Sequence, residues 1–244
     1  MTAAVPGRAL VVIPLFNEEA TVAEVLTEVR RAVPEADILV VDDGSTDGSS
    51  GVLEAEAARD TRLAVIRHRE NRGYGQALID GFAHARTRGY EAVVTIDCDA
   101  QHEPRQIPQF LAALADADIV SGSRYLDPAG GGDPAPPDRL AINREITAQL
   151  RELTGYTLTD AWCGFKAYRA SALARLRLTE PGYGMPLQVW IQAARLGLRV
   201  KEIPTPRIYK NPQRRFWGGL DDAAERRRYY QEVLERELAC VSSR

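Results

Sequence analysis

The chain has 244 residues, 45% of them hydrophobic, with 31 Lys and Arg against 34 Asp and Glu. A net charge of -3 argues against bulk electrostatic attraction to nucleic acid, and a chain this long can bury a core without disulfides or structural metal. The three cysteines, Cys98, Cys163 and Cys240, are widely spaced and odd in number, which points to a reducing, cytoplasmic compartment. No signal peptide is evident, and the apolar runs fall far short of the ~20 residues that span a bilayer. Contact with a membrane surface or a membrane partner stays open.

In chain order, residues 9–14 (ALVVIP) read as a buried strand, followed by a helix over 19–32 with Val22, Val25, Leu26 and Val29 at helical spacing. A second strand, 37–41, stops at Asp42-Asp43-Gly44. A polar-capped helix over 48–59, a third strand over 63–66, a helix over 76–88 and a fourth strand over 91–96 follow. A helix over 104–115 opens with proline. This alternation predicts an α/β, Rossmann-like, mainly parallel sheet flanked by helices, with ligands beyond the carboxyl ends of the strands. Residues 126–138, which include the run DPAGGGDPAPPD, predict a mobile loop. Helices over 140–153 and 189–196, a strand over 200–203 and a charged helix over 221–238 complete the pattern. The predicted organisation is a main domain over 1–210 and a C-terminal helical extension over 211–244 without a transmembrane segment.

Polar and acidic residues at three strand ends, 14–18, 42–47 and 97–102, converge on one crevice. In Asp97-Cys98-Asp99, strand alternation points both carboxylates the same way. A solvated acidic turn looks identical in a motif this short. At about 4 Å and an effective dielectric of about 20, each charge pair between these carboxylates and a diphosphate costs roughly 4 kcal/mol. Mg²⁺ or Mn²⁺ reverses that sign, because it prefers carboxylate oxygen plus substrate phosphate; Gln101 adds an oxygen ligand. In the 42–47 run, Ser45, Thr46 or Asp47 can cap the next helix, while a carboxylate can accept from a nucleobase or ribose. The glycines of Asn71-Arg72-Gly73-Tyr74-Gly75 allow close approach to a phosphate or ribose, and a simple helix-entry turn reads the same. No G-x-G-x-x-G follows the first strand and no G-x-x-x-x-G-K-[ST] occurs, which excludes the usual dinucleotide and P-loop sites.

Five motifs in order, Pro-Leu-Phe-Asn-Glu (14–18), Val-Asp-Asp-Gly-Ser-Thr-Asp (41–47), Asn-Arg-Gly-Tyr-Gly (71–75), Asp-Cys-Asp-Ala-Gln-His (97–102) and Gly-Ser-Arg-Tyr (122–125), resemble the family-2 inverting glycosyltransferases of GT-A fold. Within that family the look is of the dolichol- or polyprenyl-phosphate mannose synthase branch. The resemblance covers roughly residues 8–210. It implies transfer of a hexose from a nucleotide sugar, GDP-mannose or a UDP-hexose, to a polyprenyl or dolichyl phosphate. A soluble hydroxyl acceptor is the alternative. At matching positions it implies that Pro14, Phe16, Glu18, Asp42 and Gly73 bind the donor nucleotide and that Asp97 faces the ribose and diphosphate. Asp99 and Gln101 would hold Mg²⁺ or Mn²⁺. Arg124, Arg139, Asn143 and Arg214 (or Arg215) would bind phosphate. Asp160 would serve as general base for a hydroxyl acceptor, completing a catalytic set with Asp99 and Arg124. Lys166 stands where the family has arginine, and Gln188 matches a position often filled by glutamate or glutamine.

Other residues read more plainly. Trp162 and Trp190 suit a core or pocket wall, His102 a position beside the site, and Arg226-Arg227-Arg228 a solvated helix face, with an anionic membrane as the second reading. Two further classes remain open on sequence. A nucleotidyltransferase would place a glycine-rich basic loop after the first strand, where Pro14–Glu18 stands instead. A non-catalytic sugar-nucleotide sensor would keep the donor site and lack turnover.

Overall fold

Apolar runs without a polar face are stable in the middle of a sheet covered on both sides. Strand β1 (Ala9–Leu15) is such a run, with all seven residues buried. It lies between β2 (Asp37–Asp42) and β4 (Ala92–Thr95), parallel to both, and β3 (Leu63–Arg67) pairs in parallel outside β2. The sheet has seven strands in the order β3-β2-β1-β4-β6-β5-β7. Here β5 is Ile119–Ser123, β6 is Lys166–Arg169 and β7 is Val200–Pro204. β6 runs antiparallel to both β4 and β5, and β5 pairs in parallel with β7. The structure describes residues 7–127, 132–208 and 220–240 of this computed structural model.

Alternation along β1 sends Val11, Ile13 and Leu15 to one face and Leu10 and Val12 to the other. The first face packs against α1 (Val22–Ala32), α2 (Ser49–Ala57) and α4 (Ile107–Ala113), through Val25, Leu53 and Phe110 among others. The second packs against α3 (Tyr74–Thr87), α5 (Pro137–Thr154), α7 (Met185–Arg195) and α8 (Ala223–Ala239), while the short α6 (Ala170–Leu173) follows β6. Each fully buried Val, Leu or Ile contributes about 1.5–3 kcal/mol relative to exposure, which is why the apolar faces dictate the layers.

The observed elements differ from the predicted ones in instructive places. β6 is four residues long, opens on lysine and closes on arginine, so it carries no apolar run. The helix expected over 104–115 begins as a 3₁₀ turn, Pro104–Gln106, before α4. The expected loop 126–138 ends where Pro137 opens α5. The expected C-terminal extension contributes to the core: Tyr230, Val233 and Leu234 of α8 are buried with residues of α5 and α7. Among the described residues no helix is long and apolar enough to cross a membrane.

Candidate active site

A cleft of about 1490 Å³ opens beyond the carboxyl ends of β1, β2, β4 and β5. It exceeds the roughly 300–1,000 Å³ typical of a site for one small ligand. Its acidic wall is stitched together from separate strand exits. Asn17, just past β1, adopts φ 55°, a left-handed conformation that asparagine tolerates. Its Oδ1 accepts the N–H of Thr46 at 2.8 Å, and its own N–H donates to Ser45 at 2.9 Å, so the β1 and β2 exits are one unit. Thr21 donates to the Cys98 carbonyl at 2.6 Å and ties that unit to the segment after β4. Pro14, Phe16 and Glu18 line the cleft.

The two acids after β2 have different surroundings. Asp42 is fully buried, accepts from the Ser45 N–H and the Ser50 hydroxyl, and lies 3.4 Å from Arg67. It braces the turn, and the cleft wall takes Asp43 instead. Asp43 receives the N–H groups of Arg72 and Gly73 at 2.9 and 2.8 Å. Gly73 has φ 104°, and a Cβ there would stand 2.4 Å from the Pro181 carbonyl oxygen, so glycine is required.

Asp97, Asp99 and Gln101 share the cleft. The Tyr74 hydroxyl donates to Asp97 at 3.0 Å; burial first, and the Asp97 charge second, hold its pKa well above 10, so the phenol keeps its proton. A Cβ on Gly164 would meet Asp97 Oδ2 at 2.4 Å, which leaves that carboxylate room that no other residue at 164 would. Asp99 accepts the Gln101 N–H at 3.0 Å across Ala100, whose φ of 55° is strained for a residue with a Cβ and costs on the order of 1–2 kcal/mol. His102 sits behind the pair, 3.8 Å from Asp97. Burial disfavours its imidazolium, but the Asp97 charge, the contact with the Cys163 sulfur and the Asp99 charge outweigh that and raise its pKa to about 9. Among the described residues no three His, Cys, Asp or Glu gather into a closed metal cage. Two carboxylates and an amide oxygen facing a roomy cleft suit Mg²⁺ or Mn²⁺, which complete their shell with water and substrate phosphate.

The opposite wall is cationic and aromatic. Arg124, one residue past β5, forms a two-pronged pair with Asp160, Nε to Oδ2 at 2.6 Å and Nη2 to Oδ1 at 3.0 Å. Asn143 of α5 and the Trp162 N–H also donate to Asp160, at 2.9 and 3.1 Å. Asp160 is fully buried. Burial pushes its carboxyl up, but the Arg124 guanidinium and these hydrogen bonds outweigh it and leave the pKa well below the usual carboxylate range. Such a saturated carboxylate is a poor proton acceptor. Asp160, the expected general base, also anchors Arg124 and Asn143. Arg139 lines the same wall half-buried, and Arg214 and Arg215 lie outside the described residues. Lys166 is buried; its ammonium donates to the Cys163 carbonyl and lies 5.3 Å from the Trp190 ring centre. Gln188 is set back from the cleft and accepts the N–H groups of Thr179 and Glu180, both at 2.8 Å.

The expected solvated face of α8 needs correction at Arg226. It is 2% exposed, donates to Asp138 at 2.7 Å and to the Leu220 carbonyl at 2.8 Å, and lines the cleft with Tyr229 and Tyr230. Tyr230 packs on Trp162 with ring centres 4.1 Å apart. Arg226, Tyr230, Val233 and Glu237 are all buried at helical spacing, a stripe that the sequence shows once the arginine run is set aside.

The chain matches the family model for Glycosyl transferase family 2 over residues 10–177, and it belongs to that family. It is 38% identical over 200 residues to an undecaprenyl-phosphate mannosyltransferase of Micrococcus luteus, covering 81% of this chain and 82% of the relative. It is 34% identical over 202 residues to a polyprenol monophosphomannose synthase of Mycolicibacterium smegmatis, covering 81% and 76%. In fold it is similar to glucosyl-3-phosphoglycerate synthase of Mycobacterium tuberculosis in complex with uridine diphosphate, with a TM-score of 0.71 at 23% identity over 94% of this chain and 79% of that one. The architecture is that of the GT-A glycosyltransferases.

Proposed function

We propose that this glycosyltransferase moves a hexose from a nucleotide sugar to a polyprenyl phosphate, with inversion at the anomeric carbon. The observation that carries the reading is the division of one cleft into two walls. The acidic wall of Asp97 and Asp99 suits a cation-bound diphosphate. The opposite wall fixes Arg124 on a buried carboxylate and continues into the apolar and aromatic surface of Ile142, Trp162, Tyr229 and Tyr230. An acceptor with an anionic head and an apolar tail matches that second wall. Both mannosyl-transferring relatives carry polyprenyl-phosphate chemistry in their names. The fold neighbour has been crystallised with Mn²⁺, UDP and glucosyl-3-phosphoglycerate.

In this reading Pro14, Phe16, Glu18 and Asp43 border the nucleoside, and Asp42 acts behind them. Asp97 faces the ribose and diphosphate, and Asp99 and Gln101 would hold Mg²⁺ or Mn²⁺, which when bound would neutralise charge on the departing diphosphate. Arg124, pinned by Asp160, is pre-oriented for a phosphate, because its two bonds to Asp160 use the Nε–Nη2 edge and leave the Nη1 end unengaged by that carboxylate. A phosphate acceptor is already ionised, so no base is needed, in keeping with an Asp160 whose pKa is held down by the Arg124 guanidinium. A thermal-shift panel of GDP-mannose and UDP-hexoses, with and without Mn²⁺, tests the donor half. Stabilisation that requires both nucleotide sugar and metal is expected. Stabilisation by none of them refutes the reading.

A further inference from the structure

We propose that His68 is a positioning residue for the donor-binding loop, an inference that rests on reading the acidic wall as the nucleotide site. His68 follows β3, and its side chain is 5% exposed. Its Nδ1 lies 2.6 Å from Asp43 Oδ1 and its Nε2 lies 2.9 Å from Asp80 Oδ2. Asp43 and Asp80 thus bracket the ring at its two nitrogens. The groups that face the ring are Asp43 from the β2 exit and Asp80 from α3. Arg72, from the loop between β3 and α3, lies 3.1 Å from Asp80, and Gln76 donates to Asp80 at 2.8 Å.

What distinguishes this arrangement from an ordinary satisfied core histidine is where Asp43 spends its remaining bonds. Its two oxygens take the N–H groups of Arg72 and Gly73, at the point where Gly73 turns to φ 104°. The next residue, Tyr74, donates to Asp97 at 3.0 Å. A continuous path therefore runs from His68 through Asp43 and the 72–74 backbone to a carboxylate of the acidic wall. The ring fixes the torsion of Asp43, Asp43 fixes the loop, and the loop sets how closely its backbone approaches a diphosphate. The Asn-Arg-Gly-Tyr-Gly motif owes its shape to a histidine outside it.

The test uses two isosteres. In His68→Asn the amide nitrogen falls near Nδ1 and can still hold Asp43; in His68→Gln it falls near Nε2 and reaches Asp80 instead. Binding of GDP and of UDP, each with Mn²⁺, is measured by calorimetry alongside melting temperature, with donor and acceptor KM from transfer assays. His68→Gln is expected to weaken diphosphate binding by about 10-fold and His68→Asn by less than about 3-fold. Donor KM follows the same order and acceptor KM stays unchanged. Equal affinities in the two variants, or wild-type affinity in His68→Gln, would overturn the proposal and leave the reading of the cleft intact. Failure of the wild-type protein to bind either diphosphate would sink that reading first and this inference with it. Should His68→Gln not fold, Asp80→Asn, in a half-buried and outward position, gives the second measurement. Because it leaves the His68–Asp43 contact in place, it is expected to weaken diphosphate binding by less than about 3-fold, and a larger loss there overturns the proposal.

Discussion

On the β1–β4 side of the cleft, the acidic side chains Glu18, Asp43, Asp97 and Asp99 sit within four residues past a strand. On the β5–α8 side, Arg124 is held by Asp160, which lies in the chain between α5 and β6, and the wall is finished by Arg226 and Tyr230 from the last helix. The first wall is local: parallel strands in register deliver their ends to one edge. The second is assembled by tertiary packing, from segments whose own sequence says little about where they meet. On the proposed reading, donor chemistry is written in short motifs, and acceptor chemistry in how α5, α7 and α8 close over the sheet.

Substitutions on the two walls should therefore fail in different ways. The largest effect is expected from Asp99→Ala, which should cut transfer by about 10³-fold and abolish the metal response while melting temperature changes little, because Asp99 lines the cleft outside the core. Steady-state rates with and without added Mn²⁺ check this. On the second wall, Arg124→Ala should cost about 10²-fold in kcat/KM. Asp160→Asn should cost nearly as much, and the double variant little more than either, since the pair acts as one unit. A fully additive cycle would contradict that coupling.

Asp160→Asn should also destabilise the protein by roughly 3 kcal/mol at neutral pH by leaving Arg124 facing an uncharged partner. The pH dependence follows from the direction of the shift. The folded pKa lies below the unfolded one, so the stabilisation is fully present above about pH 4 and declines as the unfolded state begins to bind protons below it. The gap between wild type and Asp160→Asn in urea midpoint should be wide at pH 7 and narrower at pH 3.

Arg226→Ala should raise acceptor KM by about 10-fold and leave donor KM unchanged, because it loosens α8 against α5 at Asp138 without touching the acidic wall. A solvated arginine, as the run Arg226-Arg227-Arg228 reads in isolation, would give no effect. Arg227→Ala is the internal control, since its partner Glu145 is on the surface. The smallest contrast lies within the β2 exit. Asp43→Asn should weaken the donor more than Asp42→Asn, by about 5-fold, because Asp43 orders the glycine loop while Asp42 braces the turn behind it.

These contrasts follow what was legible in the sequence. The apolar strands β1, β2 and β4 and the helix periodicity of α1 read directly, and with them the sheet edge where Pro14, Asp42 and Asp97 emerge. Which of two adjacent acids faces the cleft was not readable, since alternation past a strand end depends on the turn that follows. Asp43 turns inward because Arg72, Gly73 and His68 claim it. β6 was hidden because its lysine and arginine mask a strand whose middle is buried. Nothing in the local sequence announces that Arg124, Asn143 and the Trp162 N–H all bond Asp160. α8 looked like an appendage because its charge hid a buried stripe, and its role emerges only where Tyr230 meets Trp162.

On the proposed reading, the second wall is built for a phosphate on an apolar carrier. Sugar transfer should be measured with the Mn²⁺-loaded protein and its best nucleotide sugar, offering polyprenyl phosphate and the matching polyprenol side by side. Glycosylated lipid is expected from the phosphate alone, with loss of that product in Arg124→Ala. Equal transfer to the free alcohol, undiminished in Arg124→Ala, would contradict it.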